Sequence, residues 1–193
     1  RNYTDQVVDR SILADLVKIE TTAPSSTNCQ KWTFTLLADR SSVNGFGQRF
    51  GLFFKRLNRL AEKRLLRKGL KLIGKPALYD YYCQFYRSVK DGLAEYELHG
   101  RDLLFHGAPA VIVVATRPGG SGRMEDALLA TQNILLAAHS MGLGTCLIGF
   151  AVEAMKNDAT LQQFIGIPVG ETVCSVIALG FPDEQYEGLT GRK

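Results

Sequence analysis

The sequence predicts a mixed α/β sandwich of the α+β class, because apolar runs of strand length alternate with segments of helical periodicity. Residues 109–116 (PAVIVVAT) form a continuous β-branched run, which is typical of a buried central strand. Residues 124–141 form a long apolar helix with two acids in its first turn, where the helix dipole favours them. With 193 residues, 46% of them hydrophobic and 22% charged, the chain is expected to form a single globular domain over residues 1–193.

The N-terminal part predicts a helix followed by a strand. Residues 9–22 carry apolar side chains at helical spacing, and Asp9 is suited to cap the first turn. Residues 32–38 (WTFTLLA) are rich in β-formers and predict a strand, which we expect the turn-prone residues 39–42 to close.

A strongly basic segment follows. Residues 49–71 predict one cationic helix, with one stripe of Lys55, Arg59, Lys63, Arg67 and Lys71 and a second stripe of Phe53, Leu57, Ala61 and Leu65. Residues 49–75 hold ten Lys or Arg and one acid, a net charge of +9, while the remainder carries −5. One basic segment on an acidic body indicates a local interaction surface, and nucleic acid is not expected as a partner.

The remaining segments complete the alternation of helix and strand. The aromatic stretch 79–97 is compatible with a second helix whose faces the sequence leaves open. The glycine-rich residues 118–122 break the chain after the central strand. Residues 152–164 predict a further helix, and residues 173–181 (VCSVIALGF) predict a final buried strand.

Several classes of protein and site are disfavoured. No apolar run approaches the roughly 20 residues that cross a bilayer, and no signal-peptide pattern follows Arg1. The four cysteines lack CxxC spacing, which predicts reduced thiols, a cytoplasmic location and no metal site. We assign no catalytic role to the histidines, and packing roles to Cys29 and Cys146.

Two loops are candidates for ligand binding. In APSSTNCQKW, residues 24–28 favour turns and offer polar groups to the edge of a heterocycle, although an ordinary helix-to-strand connection has the same composition. In GLGTCLIGF, three glycines allow close approach by backbone or by a flat ligand. The alternative for this second loop is a glycine cap that leads into a short strand.

The order of these two loops and of the chain ends is more informative than either loop alone. The chain shows Arg1-Asn2-Tyr3, then APSSTNCQKW, then EDALLATQNILLAAHSMGLGTCLIGF, then a C-terminal Gly191-Arg192-Lys193. In that order the motifs resemble the FMN-dependent nitroreductase family, over residues 1 to about 39 and 108–193. The match looks closest to members fused to an N-terminal ferredoxin-like iron–sulfur domain, which would precede Arg1.

The resemblance implies a central, mainly antiparallel sheet flanked by helices and an interlocked homodimer. It implies that Arg1 reaches the pyrimidine side of the flavin, and that Arg192 and Lys193 bind its phosphate. The polar loop would line the flavin from the partner subunit, and the backbone of the glycine loop would approach the flavin near N5. The residues implied in these two loops are Pro24, Ser25, Ser26, Asn28, Leu147, Ile148 and Gly149.

The implied activity is an FMN-dependent oxidoreductase that works by a ping-pong transfer of hydride or electrons. NAD(P)H or reduced ferredoxin would be the donor, and nitroaromatics, quinones, enones or flavins the acceptors. The alternative is a flavin-binding or surface-binding protein without turnover. That alternative would use the basic helix within residues 49–75 to dock on a membrane or a polyanion. Residues 41–106 are expected to be a variable basic helical insertion. For its basic helix, a lid or docking role ranks first and peripheral membrane contact second.

Overall fold

A four-stranded antiparallel sheet forms the centre of the computed structural model, which describes residues 2–184. Its strands are β1 Trp32–Leu37, β2 Ala110–Thr116, β3 Gly144–Leu147 and β4 Thr172–Gly180. They lie in the order β1-β2-β4-β3, and each neighbouring pair is antiparallel. Every residue of β2 is buried, as the continuous apolar run predicted. The predicted α+β class with an antiparallel sheet is confirmed.

Eight α-helices flank this sheet within residues 2–184. They are α1 Arg10–Glu20, α2 Arg40–Glu62, α3 Arg64–Leu72, α4 Ala77–Gln84, α5 Tyr86–His99, α6 Arg123–Ser140, α7 Gly149–Asn157 and α8 Ala159–Phe164. None of these helices has the length and apolar character needed to cross a bilayer. Asp9 caps α1 as predicted, because its Oδ1 accepts a hydrogen bond from the Ser11 N–H at 2.9 Å.

The helices cover both faces of the sheet. Alternate residues of β2 point to opposite faces, so Ala110, Ile112 and Val114 pack with α1 and α6. Val111, Val113 and Ala115 of the same strand point to the other face and pack with α2, α7 and α8. The chain therefore has three layers, helix, sheet and helix, with a core on each side of the sheet.

The predicted turn at residues 39–42 is wrong. Asp39 caps α2, since its Oδ1 accepts from the Ser42 N–H at 2.8 Å, and the helix begins at Arg40. The bond to Ser42 also lowers the pKa of the exposed Asp39 carboxyl. Residues that favour turns also favour N-caps, and here the apolar row after Asp39 allows a long helix.

The basic segment is also not one helix. The chain leaves helical geometry at Lys63, where α2 ends and α3 begins. The buried residues of α2 include Ala61 of the predicted stripe, whereas Phe53 and Leu57 of that stripe are half-buried. The other buried residues of α2 are Val43, Phe46, Phe50, Phe54 and Asn58. Leu65, the last member of that stripe, is 86% exposed.

Two further helical regions divide. Residues 79–97, which the sequence left open, form parts of α4 and α5. The helix predicted over residues 152–164 is divided at Asp158, which adopts extended backbone angles and caps α8 through the Thr160 N–H at 3.0 Å.

Candidate functional site

The polar loop Pro24–Asn28 is held against the N-terminal end of α6. The buried Asp126 carboxylate accepts from the Ser26 N–H at 2.9 Å and from the Cys29 thiol at 3.5 Å. Thr27 and Asn28 adopt left-handed backbone angles, each with φ of 54°, so the loop turns sharply there. Pro24 and Asn28 are exposed, and Ser25 and Ser26 are half-buried.

Gly122 fixes the distance between this loop and α6. It lies just before α6 with φ of +67°, and a Cβ placed on it would lie 2.2 Å from the Ser26 Oγ atom. The glycine therefore lets the loop lie directly on the helix terminus.

The glycine loop ends an edge strand and begins a helix. Residues 144–147 form β3, as the strand alternative expected, and the Ile148 N–H donates to the Val176 carbonyl at 2.8 Å. Leu147 is 53% exposed, whereas the Ile148 side chain is buried. Gly149, the first residue of α7, is exposed, and nothing lies within 4 Å of a Cβ built on it. Space is therefore open beside the start of α7.

The two loops are far apart within one chain. Trp32, just after the polar loop, pairs with Thr116, which pairs with Thr172, whereas Leu147 pairs with Ile177. Three strand spacings of about 4.8 Å and five residue rises of about 3.4 Å therefore separate Trp32 from Leu147 by roughly 20 Å. The structure thus does not bring all of the predicted site residues together in one chain.

The described ends of the chain lie side by side. Tyr3 forms a β-bridge with Pro182, and the Asp183 N–H donates to the Asn2 carbonyl at 3.0 Å. The Tyr3 hydroxyl donates to the Ala178 carbonyl at 3.1 Å, and burial raises the pKa of this phenol above its usual range. The predicted site residues Arg1, Arg192 and Lys193 lie outside the described residues.

A cavity of about 380 Å³ opens between α2 and α5, beside the start of α7. Its lining is mainly apolar and aromatic, and the Lys55–Glu97 ion pair links the same two helices. The sequence did not predict this cavity, because its walls come from elements that are distant in sequence and whose packing has no local signal. Lining residues include Phe50, Phe54, Leu93, Tyr96, Leu103 and Phe150.

A more polar hollow of about 470 Å³ adjoins this cavity and shares Asn44, Tyr96 and Asp102 with it. Asn2 and two arginines line the hollow, so the N-terminal segment reaches it. Asp102 shapes this region, because its carboxylate accepts from the Leu104 N–H at 2.9 Å and from the Phe105 N–H at 3.0 Å. The arginines are Arg40 and Arg101.

Within residues 2–184, no group of three or more His, Cys, Asp or Glu side chains could hold a metal ion. Cys29, Cys83, Cys146 and Cys174 are free thiols. The two loops and the cavity expose backbone N–H groups, hydroxyls and apolar side chains.

A comparison with protein families identifies the family to which the chain belongs. The family model described as "Nitroreductase family" matches residues 1–181, including the segment 41–106 that the motifs left uncovered. The chain belongs to the nitroreductase family. It is accordingly a flavin oxidoreductase.

Individual relatives agree with this assignment to the nitroreductase family. The chain is 26% identical to a 4-nitrobenzoate reductase of Nocardioides sp. (strain LMS-CY) over 207 residues, which covers 96% of this chain and 77% of the relative. The fold is shared with a nitroreductase with bound FMN from Bacteroides fragilis NCTC 9343, at a TM-score of 0.70 and 17% identity. This match covers 100% of the present chain and 88% of that structure. A second FMN-bound nitroreductase, from Desulfitobacterium hafniense DCB-2, matches with a TM-score of 0.68 and 21% identity. The match covers 100% of this chain and 88% of that structure.

Proposed function

We propose that this chain binds FMN between two of its copies and uses it to pass electrons from NAD(P)H or reduced ferredoxin to an electron-poor small molecule. The observation that carries the proposal is the open space at Gly149, where an edge strand ends and a helix begins. The proposal also draws on the family match and on related proteins that are a 4-nitrobenzoate reductase and FMN-bound nitroreductases.

The residues at the start of α7 fit one side of a flavin. The N–H groups of Gly149 and Phe150 lie in the first helical turn, where backbone donors have no acceptor within the helix. The exposed Leu147 offers an apolar contact, and the absence of a side chain on Gly149 leaves room for a planar ring. In the proposal, Leu147, Ile148 and Gly149 contact the ring beside N5 through their backbone.

The polar loop fits the other part of the site only if it comes from a second copy. The two loops are separated by roughly 20 Å within one chain, which is too far for one flavin ring to contact both. We therefore assign Pro24, Ser25, Ser26 and Asn28 to the partner subunit, which makes the homodimer a requirement for binding. The exposed Pro24 and Asn28 are available for this contact.

Cationic residues would hold the two ends of the cofactor. Arg1 is proposed at the pyrimidine side, where its charge would favour an anionic reduced ring. Arg192, with Lys193, is proposed at the phosphate, which a guanidinium binds through two parallel hydrogen bonds. The hydrogen bond between Asn2 and Asp183 brings the described parts of both chain ends together, as a shared site needs.

The cavity between α2 and α5 is the proposed acceptor pocket. Phe150 directly follows Gly149 and lines the cavity, so the pocket begins where the proposed ring site ends. Aromatic walls of Phe50, Phe54 and Tyr96 suit flat, electron-poor molecules such as nitroaromatics and quinones. This assigns part of the basic insertion, residues 41–106, to the shape of the pocket.

When bound, FMN would supply the redox chemistry for moving a hydride or electrons between donor and acceptor. The chain's own residues bind and orient the reactants. The apolar walls of α2 and α5 exclude water, and the donors at the start of α7 fix the ring edge. No acid–base pair from the protein is assigned to the reaction.

The test is to titrate the purified chain with FMN and follow flavin fluorescence, absorbance and molar mass by light scattering. We expect one FMN per chain, a dimer, and absorbance that bleaches with NADPH, NADH or reduced ferredoxin under anaerobic conditions. Menadione or a nitrofuran should then restore the oxidised spectrum. In steady-state turnover, double-reciprocal plots of rate against donor concentration at several acceptor concentrations should be parallel. Protein that remains colourless with added FMN would refute the proposal.

A further inference from the structure

The apolar face of α3 points away from the protein. Leu65 and Leu72 are 86% and 87% exposed, and Ile73, which ends the helix, is 68% exposed. Residues 65 and 72 lie seven positions apart and therefore on the same side of the helix. Large apolar side chains rarely protrude together in this way on a surface that stays in water.

The opposite side of α3 is the one fixed to the rest of the chain. The Arg67 guanidinium lies 3.3 Å from the centroid of the Tyr82 ring, and the Lys71 ammonium lies 3.7 Å from that of Tyr79. Both tyrosines belong to α4. Residues 67 and 71 lie more than a quarter of a turn from Leu65 and Leu72 around a helix with 3.6 residues per turn. These contacts keep the apolar face outward.

Basic residues border the protruding side chains. Residues 63–75 contain six Lys or Arg and no acid, and within this range Lys63, Arg64, Lys68 and Lys75 are exposed. A second copy of the same face would bring six more positive charges into contact, which opposes self-association through α3. The occupant of this face must therefore be both apolar and anionic.

We propose that α3 docks the protein on the surface of an anionic lipid bilayer. The nine-residue helix is only about 14 Å long, so its outward face is far smaller than the roughly 800 Å² per partner of a stable protein interface. A bilayer needs no matching pocket. Leu65, Leu72 and Ile73 insert between the acyl chains near the headgroups, and the flanking Lys and Arg side chains bind lipid phosphates.

This inference is independent of the redox activity and concerns where the enzyme works. It also makes bilayer-soluble acceptors accessible, since α2, which forms a wall of the acceptor cavity, ends at Glu62 and leads directly into α3.

The test is flotation of the full chain with phosphatidylcholine vesicles that do or do not contain about one-third phosphatidylglycerol. We expect binding to the anionic vesicles alone, weakened by added salt because charges near the surface are screened. The double variant Leu65→Ser and Leu72→Ser should lose binding. The double variant Arg64→Glu and Lys68→Glu should weaken it by at least about 30-fold, since each surface charge is worth about fivefold.

Matched controls separate the α3 face from general properties of the protein. Val169→Ser removes an apolar side chain that is 90% exposed in the turn before β4, and Lys18→Glu reverses an exposed charge on α1. Both controls should bind the vesicles like the unchanged chain. Circular dichroism and thermal melting of every variant show whether it is folded.

Three outcomes would overturn the proposal. They are no binding to anionic vesicles, equal binding to both kinds of vesicle, and unchanged binding by the folded α3 variants. Binding of α3 to an acidic protein without any vesicle binding would likewise replace the bilayer with a protein partner.

Discussion

The Oδ1 atom of Asp126 accepts a hydrogen bond from the Ser26 N–H at 2.9 Å, across a separation of 100 residues. The contact ties the polar loop to the first turn of α6, and the buried carboxylate also lies 3.5 Å from the Cys29 Sγ atom. The geometry of the loop therefore depends on a side chain that does not belong to it. Asp126 acts as a positioning residue for the proposed flavin contacts.

Replacement of this carboxylate should loosen the polar loop. In Asp126→Ala the Ser26 N–H loses its charged acceptor, which is expected to cost about 1–3 kcal/mol of unfolding free energy. Because the loop is proposed to contact flavin in the partner, the dissociation constant for FMN should rise by about tenfold, a change of about 1.4 kcal/mol. Urea unfolding and fluorescence titration measure the two effects.

Glu125→Ala is the matched control, since Glu125 is an exposed acid in the same helical turn. It should alter both quantities much less. A loss of stability in Asp126→Ala with unchanged FMN affinity would place the polar loop outside the binding site.

A side chain at Gly149 should block the proposed ring site without unfolding the protein. Leucine there meets no atom within 4 Å at its Cβ, and leucine favours helices more than glycine does. We expect Gly149→Leu to keep or raise the melting temperature and to weaken FMN binding by at least about 100-fold, or about 2.7 kcal/mol. Gly69→Leu, on a helix with equally open surroundings, should bind FMN normally. Normal binding by Gly149→Leu would remove this glycine from the site.

The sequence predicted the sheet and most of the helices because those elements have strong local signals. The β-branched run of β2 and the capping Asp9 acted as expected, since burial and a nearby backbone donor are enough to determine them. The division at Lys63 was not predictable, because it depends on how α3 packs against the tyrosines of α4. Local periodicity does not report such contacts.

The sequence indicated the two loops of the candidate site but not how they are held. Asp126 was predicted only to complement the dipole of α6, whereas it is buried and bonds to Ser26. The acceptor cavity was missed because it arises from the packing of α5 against α2, which involves residues distant in sequence. Tertiary contacts of this kind have no short-range signal.

Narrowing the cavity should discriminate between acceptors by size. Gly92 lines the cavity on α5, and the nearest atom to a Cβ built on it is 4.0 Å away, so Gly92→Leu projects new volume without a clash at Cβ. The rate constant for reoxidation of the reduced protein by menadione should fall by about tenfold or more, as pocket volume changes do. Stopped-flow absorbance measures this rate.

Reoxidation by molecular oxygen serves as the internal reference, because oxygen fits in the space that remains. Ala94→Leu, an exposed position of α5 outside the cavity lining, is the matched variant and should leave both rates unchanged. Equal slowing of menadione and oxygen in Gly92→Leu would indicate damage to flavin binding instead of a narrower acceptor pocket.

The buried Glu20 should make folding stability depend on pH. Its side chain is fully buried at the end of α1, and neither carboxyl oxygen has a hydrogen-bond partner within the described residues. Burial raises its pKa to about 9 from an ordinary 4.5. Between pH 4.5 and about pH 9 the folded chain keeps the proton and the unfolded chain releases it. The contribution of Glu20 to stability is therefore greatest below pH 4.5 and declines as the pH rises towards about 9.

From about pH 5.5 to about pH 7.5, this group should reduce the unfolding free energy by about 2–3 kcal/mol. Glu20→Gln cannot ionise and should lose this part of the dependence of unfolding free energy on pH. Urea unfolding at the two pH values measures the change. Glu153→Gln removes an exposed acid on α7 and should retain the wild-type slope. A wild-type slope in Glu20→Gln would mean that the carboxyl is ionised in the folded protein, which would require a cationic or donor partner facing the end of α1.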